Sequence, residues 1–180
     1  MDNPVIIFGA TSIGRATLEI FQSRNILTYC FLDDDIALHQ TEIDNVLVLG
    51  STHDEGFLKL IGKKCEAFVA VEEIAKRREI IRMLIERRKV MPVNAIHDKA
   101  LLASSVSIGH GNFINAGAIL NAGVQIGNHC LIHSCALVDT NAILEDYVVL
   151  GTGSIVNSGA VVGEGATIGS GVIIAAGVKI

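Results

Sequence analysis

Tryptophan is absent from this 180-residue chain, proline occurs twice, and only eight side chains are aromatic, although half of the residues are apolar. A conventional core of that hydrophobicity packs more rings, so the shortage points to an interior too narrow to hold them. Positive charge is also scarce. Fourteen Lys and Arg against nineteen Asp and Glu leave a net charge of −5, which removes the electrostatic ground for binding nucleic acid or an anionic membrane. The cysteines Cys30, Cys65, Cys130 and Cys135 have no CxxC or zinc spacing and read as small apolar fillers in a reducing compartment. The first apolar run, residues 5–8, is too short for a signal peptide or a membrane span. The expected location is the cytoplasm.

Composition changes near residue 90. Residues 1–95 hold twelve of the fourteen basic residues and six of the eight aromatic ones, whereas residues 96–180 hold thirteen of the eighteen glycines and only Lys99 and Lys179 as cations. Two domains are expected, 1–95 and 96–180, joined through Met91-Pro92-Val93-Asn94.

The first half alternates strand and helix patterns. Strands are expected at 5–8, 28–32, 46–49 and 67–70, and helices at 13–23, 53–60 and 73–88. The last helix is expected to turn Ile74, Ile81, Leu84 and Ile85 toward the sheet. Such alternation implies a mostly parallel sheet of four or five strands.

The second half has a different period. From Ile96 an aliphatic residue returns every sixth position: Leu102, Ile108, Ile114, Leu120, Ile126, Ile132, Val138, Leu144, Leu150, Val156, Val162, Ile168, Ile174 and Ile180. Neither a helix, with period 3.6, nor a free strand, with period 2, sustains this. It means a solenoid of short flat strands. Two positions before each aliphatic stands a mostly small residue, such as Ala118, Cys130, Ala136 or Ser154, and the turns between often end in glycine. Three repeats close one triangular coil, so residues eighteen apart stack at about 4.8 Å and the prism is about 24 Å long. Phe113 and Tyr147 are expected at outward turn positions. Asn121, Asp139 and Asn157 share one corner and are expected to form a side-chain ladder. The register reaches Ile180 without a polar cap, which predicts a further coil or a covering subunit.

Val5-Ile6-Ile7-Phe8-Gly9 leading into a helix, Phe31-Leu32-Asp33-Asp34 after the second strand, and a hexapeptide prism following Ile96-His97 together resemble the bacterial sugar O- and N-acetyltransferases. That family acts on sialic acid or UDP-linked amino sugars. The resemblance implies a left-handed parallel β-helix, a handedness that the period alone leaves open. It also implies a homotrimer with active sites between adjacent β-helices, acetyl-CoA as co-substrate, and a nucleotide-linked sugar against the small N-terminal domain. Gly9, Thr11, Ser12, Gly14, Asp33, Asp34 and Arg77 match substrate-binding positions, Arg77 as a phosphate contact from the third helix. Gly153, Gly159, Gly165 and Gly171 are expected to let the pantetheine arm of CoA lie close to the backbone.

One departure bears on catalysis. The family's His followed by Asp or Glu falls on Thr140-Asn141 in this chain, and a second family histidine falls on Val149. Neither Thr140 nor Asn141 takes a proton at neutral pH. His133 is the substitute base expected from the sequence, oriented by Asp139 or by a residue of an adjacent subunit. The structural alternative for His133 is a corner histidine bonded to the next coil, and His110 and His129 are turn residues. These three histidines differ in corner phase, so no zinc site is expected. Two functions follow: acyl transfer from acyl-CoA to a nucleotide-linked or polysaccharide-precursor sugar, or a catalytically silent, regulatory homotrimer that binds the sugar nucleotide.

Overall fold

The computed structural model describes residues 3–180, in two compact units that divide between Val93 and Asn94. The first unit is built on β1 (Val5–Phe8), α1 (Ser12–Ser23), β2 (Thr28–Leu32), β3 (Glu42–Ile43), β4 (Val46–Gly50), α2 (Glu55–Leu58), β5 (Glu66–Val69) and α3 (Ile74–Met83). The strand order is β3-β4-β2-β1-β5, parallel except for β3. Every residue of β1 is buried, as expected for a strand covered on both faces. Phe21 of α1 meets Phe68 of β5 edge to face at 5.9 Å between ring centroids.

The antiparallel strand β3 has no counterpart in the sequence reading. It turns into β4 through Asp44 and Asn45, both at positive φ (46° and 67°), the two-residue turn that suits the strand twist. The third helix also differs from expectation. Its buried face is Arg77, Ile80, Ile81 and Leu84, spaced i, i+3, i+4 and i+7, while Ile85 is exposed. The α-helix widens into a π-turn over Leu84–Arg88, and the extra residue per turn rotates Ile85 off the packed stripe.

The second unit winds fourteen two-residue strands into a prism with three faces. The first face stacks β6 (Ala95–Ile96), β9 (Phe113–Ile114), β12 (Leu131–Ile132), β15 (Val149–Leu150) and β18 (Thr167–Ile168). The second stacks β7 (Leu101–Leu102), β10 (Ile119–Leu120), β13 (Leu137–Val138), β16 (Ile155–Val156) and β19 (Ile173–Ile174). The third stacks β8 (Ser107–Ile108), β11 (Gln125–Ile126), β14 (Ile143–Leu144) and β17 (Val161–Val162). All pairings are parallel and join residues eighteen apart. The aliphatic ladder from Ile114 to Ile168 forms the core, with Ala118, Val124, Cys130, Ala136, Ala142, Val148 and Ala160 between its rungs.

Phe113 corrects one expectation. It is a strand residue at 1% exposure, because the position before each inward aliphatic belongs to the flat strand and not to the turn. Tyr147 does occupy a turn, half-buried, with its ring 5.1 Å from that of His129 one coil away. The expected ladder holds for one rung: Asn121 Nδ2 donates to Asp139 Oδ1 at 2.8 Å, but Asn157 turns to the carbonyl of Ile174. A second ladder lies inside the prism. Asn94 Oδ1 accepts from the Asn112 N–H at 2.8 Å, and Asn112 Oδ1 from the Cys130 N–H at 2.7 Å. It satisfies the backbone of a corner whose Asn112 is fully buried.

From residue 111 onward each turn of the prism passes through a residue at positive φ. Glycine holds that position at 111, 117, 123, 153, 159, 165, 171 and 177, but His129, Cys135, Asn141 and Tyr147 hold it in the four turns between. Non-glycine residues resist this conformation, so four in succession single out this stretch.

Ser154 faces the prism interior at 0% exposure, and its hydroxyl has no hydrogen-bond partner. A buried donor left unmade costs about 1–3 kcal/mol. Ser154→Ala is therefore expected to raise the Tm of the full chain; a fall would show that the hydroxyl is satisfied in solution.

Candidate functional site

The first candidate is a cleft in the α/β unit. The strand order reverses direction at β1, with β2 on one side and β5 on the other. Such switch points open a crevice at the carboxyl ends of parallel strands. The cleft there is about 310 Å³, lined by Gly9, Thr11, Ser12, Asp33, Ala70, Val71, Glu72, Glu73 and Lys76. Gly9 lines it directly, whereas Gly14 shapes it from behind. A Cβ on Gly9 would stand 2.5 Å from the Ala70 carbonyl oxygen, and one on Gly14 would strike the Gly9 carbonyl. These glycines let α1, β1 and β5 approach, which leaves Thr11 and Ser12 exposed at the mouth. No side chain caps α1, and its first turn holds no acid, so its leading N–H groups are open to an anion.

Asp33 and Asp34 divide the work. Buried Asp33 accepts from the Ala10 N–H at 2.7 Å and the Asp35 N–H at 3.0 Å, so its carboxylate braces the two loops at the cleft. The Asp33 carbonyl accepts from His39 Nε2 at 2.7 Å, which places the His39 proton on Nε2. Asp34 Oδ1 accepts the Thr52 N–H at 2.9 Å and its hydroxyl at 2.8 Å, while Oδ2 pairs with Lys76 Nζ at 3.2 Å. With its proton so used, the Thr52 hydroxyl accepts from His53 Nδ1 at 3.0 Å. Burial pushes the Asp34 carboxyl up, but the Thr52 donors and the Lys76 ammonium outweigh it and hold it below the usual 3.8.

That depression has a sign. The unfolded chain binds more protons in the interval between the two values, so the stabilisation is complete above about pH 5 and is lost as pH falls through the folded value. Half-exposure keeps it below about 1 kcal/mol. Asp34→Asn is expected to shallow the fall in Tm between about pH 5 and pH 3; an unchanged slope would contradict this.

Arg77 corrects the expected phosphate contact. It is 1% exposed, and its Nη1 donates to the carbonyls of Val71 and Glu72 at 2.8 Å each. It holds the loop between β5 and α3 that lines the cleft. Lys76, one residue earlier, faces the cleft instead. The sequence reading singles out Arg77 and not Lys76; the place of Lys76 in the first turn of α3, after a switch-point strand, is the signal that points to it.

The second candidate is the prism coil that carries His133. Its half-buried ring meets Phe113 edge-on, 5.9 Å between centroids, and the His133 backbone N–H donates to the Leu150 carbonyl. Asp139 lies on the next corner, and its Oδ1 takes the Asn121 amide and, at 3.4 Å, the Thr140 hydroxyl. The Asn121 amide foremost, with the Thr140 N–H, holds the Asp139 carboxyl below its usual range, so it is ionised and a weak base. The Thr140 carbonyl accepts from Ser158 Oγ at 2.9 Å, and the Asn141 side chain lies over Gly123. These bonds tie Asp139, Thr140 and Asn141 into the ladder of coils.

His97, two coils below His133 on the same corner, meets a carboxylate: Nδ1 stands 2.9 Å from Asp98 Oδ1 and 3.0 Å from the Lys99 N–H. When neutral, Nδ1 accepts that N–H and the proton sits on Nε2, so the ring offers no free lone pair. The four glycines proposed for CoA fall on three corners. Gly153 and Gly171 stand above Cys135 on the corner of His133, Gly159 above Asn141, and Gly165 above Tyr147. A Cβ at Gly153, Gly159 or Gly171 would meet nothing within 4 Å, so these edges are open.

Comparison with known proteins bears on both candidates. Residues 105–140 match the bacterial transferase hexapeptide model (six repeats). A point-mutant perosamine N-acetyltransferase from Caulobacter crescentus, solved with CoA and GDP-perosamine, is 26% identical. It aligns over 100% of this chain and 89% of its own with a TM-score of 0.75. The prism is thus a hexapeptide-repeat β-helix, and the whole chain is similar in fold to this N-acetyltransferase. Two further solved structures are similar over 98% of this chain and 93% of theirs. The acetyltransferase domain of PglB from Neisseria gonorrhoeae FA1090 is 23% identical with a TM-score of 0.82. WeeI from Acinetobacter baumannii AYE is 19% identical with a TM-score of 0.70. No curated protein matches the sequence. Among the described residues of this hexapeptide-repeat chain, no helix is long and apolar enough to cross a membrane.

Proposed function

We propose that the protein transfers an acetyl group from acetyl-CoA to a nucleotide-linked sugar, with the sugar nucleotide in the α/β cleft and CoA along the prism. One observation carries this reading. Both the switch-point cleft and the prism belong to a single likeness covering the whole chain, to an enzyme solved with CoA and GDP-perosamine together. In the proposed step His133 accepts the proton of the acceptor amine or hydroxyl as that atom bonds to the thioester carbonyl carbon. The C–S bond then breaks, and the CoA sulfur leaves with the proton. Thr140 and Asn141 take no proton in this scheme; with Asp139 they set the edge of the site. Use of a CoA thioester supports a cytoplasmic location for the proposed reaction.

The second face of the prism supports a homotrimer. Its outward residues Leu101, Ile119, Leu137, Ile155 and Ile173 form an unbroken aliphatic stripe, with Leu101 and Ile173 65% and 63% exposed. Stripes of this kind mark interfaces, and this one runs between the corners of His133 and Asp139. Ile155→Asp is expected to convert a species of three times the 19.1 kDa chain mass to monomer by light scattering, with the prism still folded. A wild-type monomer would contradict the assembly.

Thr140-Asn141 favours a second reading, a sugar-nucleotide-binding trimer without turnover. Calorimetry tests what the two readings share: acetyl-CoA and a GDP- or UDP-linked amino sugar should bind together, and failure to bind either ligand would overturn both.

A further inference from the structure

The α/β cleft poses an electrostatic problem for the ligand assigned to it. Asp33, Glu72 and Glu73 are carboxylates on its lining, Asp34 stands behind Lys76, and Lys76 is the one cation on that lining. A nucleotide-linked sugar carries a diphosphate, which such a rim repels unless donors and positive charge meet it. Asp33 is turned inward to the backbone of Ala10 and Asp35. The uncapped start of α1 supplies N–H groups, but these alone do not offset three carboxylates.

Lys76 is held where it can. Asp34 Oδ1 is tied by two donors from Thr52, itself braced by His53, and this immobile carboxylate presents Oδ2 to Lys76 Nζ at 3.2 Å. An ammonium has three donors, so one bond to Asp34 leaves two for a ligand. The next residue, Arg77, is buried and grips the carbonyls of Val71 and Glu72. It thereby fixes the turn from which Lys76 projects. The chain thus spends one helix cation on its own loop and sets its neighbour, half-exposed, on the cleft.

We propose that Lys76, positioned by Asp34, is the residue that meets the diphosphate of the acceptor and offsets the acidic rim. This rests on the nucleotide-sugar reading above. Its test is calorimetry of the full chain with GDP and UDP and with guanosine and uridine, for the wild type, Lys76→Met and Lys76→Arg. The wild type is expected to bind the preferred nucleoside diphosphate at least about tenfold more tightly than its nucleoside. Lys76→Met is expected to lose about tenfold in diphosphate affinity while nucleoside affinity holds. Lys76→Arg keeps the charge, and is expected to stay within about threefold of the wild type. Equal diphosphate binding by Lys76→Met would overturn the assignment. An equal loss of nucleoside and diphosphate would also overturn it, because Lys76 would then act only by supporting Asp34. Wild-type protein that binds neither nucleotide would overturn the acceptor reading itself, and this inference with it.

Discussion

His133→Asn is expected to lower kcat for acetyl transfer by about a hundredfold or more, the usual share of a positioned general base, and to leave the KM for acetyl-CoA near that of the wild type. Three observations lead there. The corner at residues 139–142 carries no group that is basic at neutral pH: the carboxyl of Asp139 is held below its usual range by the Asn121 amide, and Thr140 and Asn141 do not titrate. His97 keeps its proton on Nε2 when neutral, because the Lys99 N–H points at Nδ1. His129 is buried beneath the ring of Tyr147. His133 stands half-buried beside the aliphatic stripe, with Phe113 at its ring edge. Asparagine preserves its polarity and size on a corner where Asn115 occupies the matching place one coil below, so the Tm should change little. The acid limb of the pH–rate profile should vanish with the rate. A variant of unchanged kcat and unchanged pH profile would remove His133 from catalysis.

Gly9→Ala is expected to destabilise the α/β unit by about 2–4 kcal/mol and to abolish the proposed nucleotide binding, while the proposed binding of acetyl-CoA to the prism should survive. Gly9 sits at φ 104°, a conformation closed to alanine at low cost, and its Cβ would stand 2.5 Å from the Ala70 oxygen and 3.1 Å from Val71 Cγ2. Relief requires β1 and β5 to part at the switch point. That motion displaces the Ala10 N–H from Asp33 and the loop that Arg77 holds. Chemical denaturation measures the loss, and calorimetry with each ligand separates the two units. Equal stability of variant and wild type would show that the tight approach of Gly9 to Ala70 does not hold in solution.

The prism was legible because its period is enforced by geometry. A triangular coil admits one inward aliphatic per face, so Ile114 through Ile168 announce themselves in a single row. Phe113 was misplaced because a six-residue period marks which residue points inward more firmly than where the strand ends. The four non-glycine turn residues were invisible for a related reason: sequence shows His129, Cys135, Asn141 and Tyr147 at turn positions, but not that each adopts the left-handed backbone. In the α/β unit the strands followed from apolar runs, whereas the buried role of Arg77 depends on a loop fold that no local pattern reports. Lys76 and Arg77 look alike in sequence and part only when the helix phase is known. Gly9 and Gly14 were read as ligand contacts, yet both serve first as points where backbones meet.

Turnover separates the catalytic from the regulatory reading, since binding of both ligands is common to the two. The decisive measurement is mass spectrometry of the sugar nucleotide after incubation of the wild-type protein with acetyl-CoA and GDP- or UDP-linked amino sugars. The account predicts an acceptor heavier by one acetyl group, formed in step with free CoA and suppressed in His133→Asn. Protein that binds both ligands and returns the acceptor unchanged would contradict it and leave the regulatory trimer in its place.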